Sequence, residues 1–447
     1  MKKASSVGSI IVLFIILICV YIFYVGRDLN GFLMYEIKPR TSTFYRDNDI
    51  KYSDYRSYAI TSKKSNTATI AKTIKVIPNT PYRVSAMVRT EDIIANGRSS
   101  ASGAGICIIN SSETSRMLQG TNEWTKVELM FNSKNREEVE IGFRLGGYVD
   151  ECTGKAWFSD FKLEQGITSY DSNWNIGCFI FTDTDLSSDE VNLSSGFKVT
   201  MDSQDITTLT NNISQFERSF RELSGGKIKL TCETVIVSDP LKSISYDAEN
   251  GHFVNFLDVQ DILDKYIENK IYDHIYVIVR LGDKVSSRAI SGLDWIGLGG
   301  MDYYGIGFSN IRLPNDPNNI IYKYDAKYNT FPEEVLVHEF LHTFERNMIE
   351  YGYDVPVLHN YGDYGYQESN VNGLRSWYKD YMQCKILDKT TNQYVGLKEE
   401  IYTRKPTNAN DFEFAIEKPI SKEPKNPIER LTTLIKTLAL YKEKSGE

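Results

Sequence analysis

Apolar and polar residues alternate along most of the first third of the chain. Runs such as TATIAKTIKV, YRVSAMVRT and WTKVELMFNS place an apolar side chain at every second position, and turn residues such as PNTP separate the runs. Period-two alternation at this spacing predicts short antiparallel strands with one buried face. Helical periodicity is almost absent here. We therefore expect an all-β jelly-roll sandwich over residues 31–167.

The pattern changes after a short hinge, ITSYDSNWN. The apolar runs CFIFTDTDL, KIKLTCETVIV and HIYVIVRLG predict strands. The runs ITTLTNNISQFERSFRELSGGK and DVQDILDKYIENK predict amphipathic helices, the first ended by a glycine pair. A later run, GLRSWYKDYMQCK, predicts a further helix that packs under any cleft. Strands and helices in this order predict an α+β domain over residues 168–447.

An apolar span at the N terminus suggests that the chain is targeted to a membrane. Two lysines precede SIIVLFIILICVYIFYV, an unbroken run of 17 residues from Ser9 to Val25, and no small-x-small cleavage site follows it. The length is at the short end for a membrane helix and longer than a usual signal sequence. The span predicts a transmembrane signal-anchor within residues 1–30, with the N terminus cytoplasmic and the rest extracellular. A secreted protein released by signal cleavage is the alternative.

Composition excludes several classes of function. The net charge of -8 argues against nucleic acid as a partner. Neither a P-loop nor a strand-linked G-x-G-x-x-G occurs, which argues against nucleotide chemistry. Beyond Cys19, five scattered cysteines form no C-x-x-C pair. They predict buried small side chains rather than a thiolate metal cluster or a dense disulfide framework.

The five histidines of the chain include two in the stretch HEFLHTFE, His338–Glu345. A helix is predicted around it, with Thr330 as N-cap, Glu333 completing a capping box and Gly352 as the stop. The helix carries an apolar stripe that must face the core, made of Val337, Phe340, Leu341, Phe344 and Met348.

His338 and His342 lie at the border of that stripe, one helical turn apart. Imidazoles at i and i+4 can both reach a single Zn²⁺. Glu339 falls one step further toward solvent, where its carboxylate can reach a water without ligating the metal. The sequence therefore predicts zinc-dependent hydrolysis with water as the nucleophile and Glu339 as the general base.

A third metal ligand is expected from the segment after the helix. Between His342 and Gly352 a helix carries the chain about 15 Å from the metal, and the residues from Gly352 to His359 can span more than about 20 Å when extended. His359 is therefore the predicted third ligand. The alternatives are Asp363, Glu345, Glu350 and Glu368. Glu345 fits better as a residue that orients an imidazole by a hydrogen bond to the ring nitrogen that does not bind the metal.

Two further groups could serve such a site. One of Tyr361, Tyr364 and Tyr366 could donate a hydrogen bond to a tetrahedral oxyanion, although tyrosines in an irregular loop often only pack it. Upstream of the helix, GLGGMDYYGIGFSNIRL predicts a glycine-rich strand, either at the edge of a sheet or bent within it.

On His338, Glu339 and His342 the chain resembles the zincin metallopeptidases. The resemblance implies that the two histidines ligate zinc, that the glutamate is general base, and that an edge strand binds extended peptide. The chain departs from the family's patterns beyond the motif. The glycine and histidine of the metzincins are absent, and no glutamate stands clearly where the gluzincins have one.

The first third of the chain resembles the jelly-roll carbohydrate-binding modules of families 4 and 9. The resemblance lies in IKVIPNTPYRVSAMVRT, EWTKVELMF and GKAWFSDFKLEQG, and it implies a fold more than a ligand. A glycan surface needs exposed aromatic rings. The candidates, each of which could instead pack the core, are Tyr52, Tyr55, Tyr58, Tyr148 and Trp157.

The sequence thus favours an exported, membrane-anchored zinc endopeptidase that acts on extracellular proteins or glycoproteins, held to the membrane through residues 9–25. Two alternatives stay open. One is a surface glycan-binding or adhesion protein whose zincin domain is a non-catalytic scaffold. The other is a zinc amidase that acts on cell-wall peptides.

Overall fold

The computed structural model describes residues 31–405, apart from residues 53–55, 97–101, 112, 148–149, 167–170, 192–194, 248–249, 268–271, 285–288, 291–294, 304–305, 328 and 368–372. The predicted boundary at residue 167 falls in one of these gaps and stays a prediction.

The predicted localisation as a single-pass membrane protein is corrected by the structure. Among the helices of the described ranges, none has both the length and the apolar character needed to cross a bilayer. The longest of them, Ser203–Leu223, carries acidic and basic residues along its length. The predicted span, Ser9–Val25, lies outside the described residues.

The predicted β-sandwich is confirmed. Two antiparallel sheets face each other, and alternate residues of their strands, such as Ile60, Val84 and Phe143, are buried between them. The four-stranded sheet has the order β1 (Leu33–Glu36), β4 (Ala68–Lys75), β8 (Glu138–Gly146), β6 (Gly103–Ile108). The five-stranded sheet has the order β2 (Ser42–Asp47), β3 (Ser57–Asn66), β9 (Cys152–Gln165), β5 (Pro81–Ala95), β7 (Gly120–Asn132).

The second half is built on one five-stranded sheet. Its order is β13 (Lys229–Val237), β10 (Asn173–Phe181), β16 (His274–Arg280), β18 (Ile306–Leu313), β17 (Gly297–Tyr303). The helices are α1 (Ser188–Val191), α2 (Ser203–Leu223), α3 (Phe256–Ile267), α4 (Glu334–Glu350) and α5 (Arg375–Met382). Three hairpins complete this half: β11 (Asp183–Leu186) with β12 (Phe197–Thr200), β14 (Ser245–Asp247) with β15 (Gly251–Phe253), and β19 (Ile386–Asp388) with β20 (Gln393–Val395). Short 3₁₀ turns occur at Ile320–Tyr322, Tyr361–Tyr364 and Glu399–Thr403.

The predicted fold class, in which a transmembrane helix and a sandwich precede an α+β zincin-like domain, is wrong. In the second half β13, β10, β16 and β18 run parallel, and β17 alone among the sheet's described strands is antiparallel. Helices cover both faces of this sheet, which is an α/β arrangement rather than an α+β one. The sequence of β16, HIYVIVR, is nearly continuous in apolar residues, and the strand is buried at every position. Such a run is typical of a strand in a parallel sheet that is covered on both faces.

The two faces of the sheet are covered by different helices. On one face α2, α4 and α5 share a core with alternate strand residues such as Ile176, Tyr276 and Ile311. On the other face α3 packs against the intervening residues, such as Val277 and Phe308. Helix α4 therefore lies directly on the sheet, and its position relative to the strands is fixed by packing.

Helix α4 buries the predicted apolar stripe completely. The predicted N-terminal cap is wrong, because the helix begins at Glu334 and no side chain caps it. Glu333 instead accepts a hydrogen bond from Ser219 on α2, at 2.5 Å between the two oxygens. At the other end Gly352 follows the helix with a φ of 81°, which suits glycine.

The sandwich contacts the second half at the C-terminal end of α4. The Tyr351 hydroxyl donates to Asn79 Oδ1 at 2.8 Å and also lies 3.1 Å from Asn132 Oδ1. Lys134 of the sandwich pairs with Glu350 on α4. Glu350 lies eight residues beyond His342, about 12 Å along the helix. The sandwich thus meets the end of α4 that is far from the histidines.

One buried ion pair ties the start of α2 to the sheet. Asp205 closes the capping box of α2 and accepts two hydrogen bonds from Arg280 of β16, at 2.7 and 3.1 Å. Both side chains are almost fully buried. Replacing Asp205 by Asn should therefore lower the free energy of unfolding by about 3–5 kcal/mol, because Arg280 is left buried and uncompensated. Urea unfolding followed by tryptophan fluorescence measures the change.

The matched control is Asp185→Asn, which removes a surface ion pair with Lys198. This change should cost less than about 1 kcal/mol. Equal losses for the two variants would contradict the role given to the buried pair.

Candidate metal centre

Helix α4 presents His338 and His342 on one side, one turn apart. The neighbouring positions of the buried stripe hold that side of the helix at the border of the core, so both rings are only half-buried. His359 comes from the irregular segment after the helix, and its side chain is exposed. In the described part of the chain, these three residues form the one group of three potential metal-ligating side chains.

The Nε2 atoms of the three histidines converge. The Nε2 atoms of His338 and His342 are 3.3 Å apart, and those of His342 and His359 are 3.1 Å apart. Zinc–nitrogen bonds of about 2.0–2.1 Å in a tetrahedral site separate the ligand nitrogens by about 3.3 Å. These two separations therefore fit neighbouring nitrogen ligands of one zinc ion, and all three ligand atoms lie within 4.8 Å of one another.

Two of the rings are oriented through their other nitrogen. His342 Nδ1 lies 2.9 Å from Glu345 Oε2, and His338 Nδ1 lies 3.1 Å from the Tyr378 hydroxyl of α5. A carboxylate accepts the Nδ1 proton of His342, which leaves Nε2 of that ring with its lone pair free for a metal. The geometry thus gives Glu345 the orienting contact that the sequence predicts for it.

Partial removal from solvent lowers the pKa of two of the imidazoles. Desolvation, reinforced by the neighbouring His342 and His359, lowers the pKa of His338 to about 3. Desolvation also lowers the pKa of His359. Metal ions bind the neutral form of histidine, so the local environment favours the protonation state that ligation needs.

Glu339 is buried beneath β17, with 5% of the residue exposed, rather than turned toward solvent as its helical position suggested. A Cβ at Gly297 would lie 2.4 Å from Glu339 Oε1, and one at Gly299 would lie 2.3 Å from the Glu339 carbonyl oxygen. Only glycine allows the strand to approach this closely. The Gly299 backbone N–H donates to the Glu339 carboxylate, while burial raises the pKa of that carboxyl to about 7.

The other candidate ligands lie elsewhere. Asp363 is exposed in the turn Tyr361–Tyr364 and is not part of the histidine cluster. Glu350 pairs with Lys134 and Arg346 at the contact with the sandwich. Glu368 lies outside the described residues.

The three tyrosines after His359 are engaged in packing. The Tyr366 hydroxyl donates to Asp380 at 2.7 Å. The rings of Tyr364 and Tyr366 contact that of Trp377, and Tyr361 packs against the same core. Their role as oxyanion donors stays a prediction. Tyr378, which the sequence analysis did not single out, contacts a histidine instead.

Comparison with known proteins reveals no family. Neither a protein-family model nor a curated protein matches the chain. Solved structures do match parts of it at low scores, and several of them are carbohydrate-binding β-sandwiches.

Three of these structures illustrate the range. The enzymatically active domain of tailspike protein 4 from bacteriophage CBA120 is 10% identical with a TM-score of 0.24, over 32% of this chain and 20% of that one. A family 4 carbohydrate-binding module is 15% identical with a TM-score of 0.21, over 32% of this chain and 93% of that one. A family 61 module in complex with β-1,4-galactotriose is 15% identical with a TM-score of 0.22, over 30% and 89%. Scores this low carry no argument about function.

The geometry separates the two leading candidates for the third ligand. His359→Ala removes one of three convergent nitrogens, so zinc affinity should fall by more than about a hundredfold. This loss exceeds the one expected when a residue that only hydrogen-bonds to a metal ligand is removed. Asp363→Ala, four residues further along the same loop, should leave zinc affinity unchanged. Competition with a chromophoric zinc chelator measures both. A larger loss for Asp363→Ala than for His359→Ala would contradict this assignment.

Proposed function

We propose that the chain is a zinc-dependent hydrolase that cleaves peptide bonds, with Glu339 as general base. The observation that carries the proposal is the convergence of three imidazoles. The Nε2 atom of His342 lies 3.3 Å from that of His338 and 3.1 Å from that of His359, and all three ligand atoms lie within 4.8 Å of one another. Glu339 lies on the same helix as His338 and His342. The comparisons with known proteins lend no support to protease activity, so the proposal rests on the geometry of this site.

His338, His342 and His359 would hold the metal. Zinc, when bound, supplies Lewis-acid polarisation of a carbonyl group and makes water acidic enough to be deprotonated near neutral pH. The chain's own contribution is proton transfer and orientation. Glu339 would accept the proton of the attacking water and then donate it to the amine nitrogen that leaves.

The setting of Glu339 suits that role. Its pKa of about 7, raised mainly by burial, is close to the value at which one carboxyl can both take up and release a proton near neutrality. The Gly299 N–H and the close approach of β17 fix the carboxylate in one place. A base held in this way loses little conformational freedom when the reaction begins.

The position of β17 supports a polypeptide substrate. The strand is last in the order of its sheet, and no other described strand pairs with its outer side. An extended peptide could add there by backbone hydrogen bonds, with its scissile bond near Glu339. A zinc amidase that cleaves only small wall-peptide amides is the alternative reaction.

Replacing Glu339 by Gln tests the mechanism. The variant keeps the three histidines and the shape of the side chain, so it should still bind one zinc. Its turnover should fall by about 10²–10⁴-fold, the usual contribution of a general base. Cleavage of a panel of unfolded proteins and of small peptide amides, each assayed with and without added zinc, provides the measurement.

Undiminished cleavage by Glu339→Gln would overturn the role of Glu339. Cleavage of the small amides with intact polypeptides left untouched would favour the amidase reaction over the peptidase.

A second candidate function, glycan binding, is favoured by the outer face of the five-stranded sheet. Trp157 on β9 points to that face, because the adjacent Phe158 points into the core, and Trp124 lies on β7 of the same sheet. Trp157 is buried and donates to Asp47 Oδ2 at 3.0 Å, so it is part of the structure rather than a free platform. Trp124 is only half-buried, and its ring lies 5.8 Å from that of exposed Tyr52.

Aromatic rings placed in this way can stack on the faces of sugar rings. Trp124→Ala should therefore weaken binding of an oligosaccharide by about tenfold, equivalent to about 1.4 kcal/mol. Calorimetric titration with a panel of oligosaccharides measures the loss.

The control is Tyr394→Ala, which removes an exposed aromatic ring outside the sandwich. This variant should bind like wild type. Binding that survives Trp124→Ala unchanged would argue against this face of the sheet.

A further inference from the structure

Helix α5 provides none of the three histidines, yet it contacts one of them and the residue that precedes another. Tyr378 lies 3.1 Å from His338 Nδ1 through its hydroxyl. Trp377, the preceding residue, donates its indole N–H to the carbonyl oxygen of Leu358 at 3.0 Å. Leu358 is the residue immediately before His359. Adjacent side chains of α5 therefore reach both the helical and the loop part of the candidate metal centre.

The backbone of Leu358 is held from two sides. Its carbonyl group accepts the Trp377 indole N–H, and its own N–H donates to Glu345 Oε1 at 2.7 Å. The other oxygen of Glu345 lies 2.9 Å from His342 Nδ1. One carboxylate thus links His342 to the backbone that carries His359. The Leu358 side chain and the Trp377 ring are both buried in the same core.

These contacts matter because His359 lies outside any helix or strand. Residues 353–357 have no regular structure, and the His359 side chain is exposed. Ordering a flexible backbone costs conformational entropy, which would be subtracted from the metal-binding free energy. A segment that is already fixed before the metal arrives avoids this loss.

We propose that Trp377 and Glu345 are positioning residues that fix the Leu358 peptide group and thereby place His359 at the metal. The inference rests on the proposed metal site. It adds that the affinity for zinc depends on a hydrogen bond made by a side chain that never touches the metal.

The experiment is a double-mutant cycle on zinc affinity, measured on the full chain by chelator competition. Trp377→Phe removes the indole N–H and keeps an aromatic ring among Tyr364, Tyr366 and Tyr381. Zinc affinity should fall by about 10–100-fold, as it does when outer partners of metal ligands are lost. In a chain that already carries His359→Ala, the same change should alter zinc affinity by less than about twofold, because the loop then no longer provides a ligand.

Trp174→Phe is the matched control. Trp174 is equally buried in the same core, and its indole N–H also donates to a backbone carbonyl, that of Tyr402, at 2.8 Å. The two phenylalanine variants should show similar losses of thermal stability without metal. Only Trp377→Phe should lose zinc affinity.

The outcomes separate this inference from the proposed site. Wild-type zinc affinity in Trp377→Phe, or an equal loss with and without His359, would overturn the positioning role and leave the metal site standing. A wild-type chain that takes up no stoichiometric zinc, or one whose affinity ignores His359→Ala, would overturn the three-histidine site and this inference with it.

Discussion

The candidate site depends on the burial of one apolar stripe. Val337, Phe340, Leu341, Phe344 and Met348 are fully buried between the sheet and helix α2. Five large side chains lost from water stabilise the position of α4 by several kilocalories per mole, at about 1.5–3 kcal/mol each before entropic costs. Since the rotation of the helix is thereby fixed, His338 and His342 must lie at the border of the core.

Around that helix, the site is assembled from distant segments. Strand β17 supplies glycines that accommodate Glu339, and α5 supplies Tyr378 against His338. Glu345, on α4 itself, connects His342 to the loop that carries His359. Each contact is short and specific. The site therefore has the support from surrounding residues that precise geometry requires.

The features that depend on spacing along the chain could be predicted from the sequence. The i, i+4 spacing places His338 beside His342, and the apolar stripe predicted which side of α4 is buried. The segment from Gly352 to His359 is long enough to return to the metal site, and this length alone made His359 a candidate ligand. Alternation of apolar residues likewise predicted the sandwich.

Contacts between residues distant in sequence were missed. Nothing near His338 indicates Tyr378, which follows 40 residues later and meets it only through packing of α5. The burial of Glu339 depends on β17, placed there by its pairing with β18. The fold class was wrong because the prediction rested on the order of strands and helices. It did not use the unbroken apolar run of β16, which is typical of a parallel strand covered on both faces.

X-ray absorption spectroscopy at the zinc edge, on the full chain loaded with one equivalent of zinc, tests the central claim most directly. The account predicts three imidazole nitrogens and one further light ligand, at bond lengths of about 2.0–2.1 Å. It also predicts that His359→Ala reduces the imidazole count to two. A spectrum of zinc surrounded only by water oxygens, or one with sulfur in the coordination shell, would contradict it.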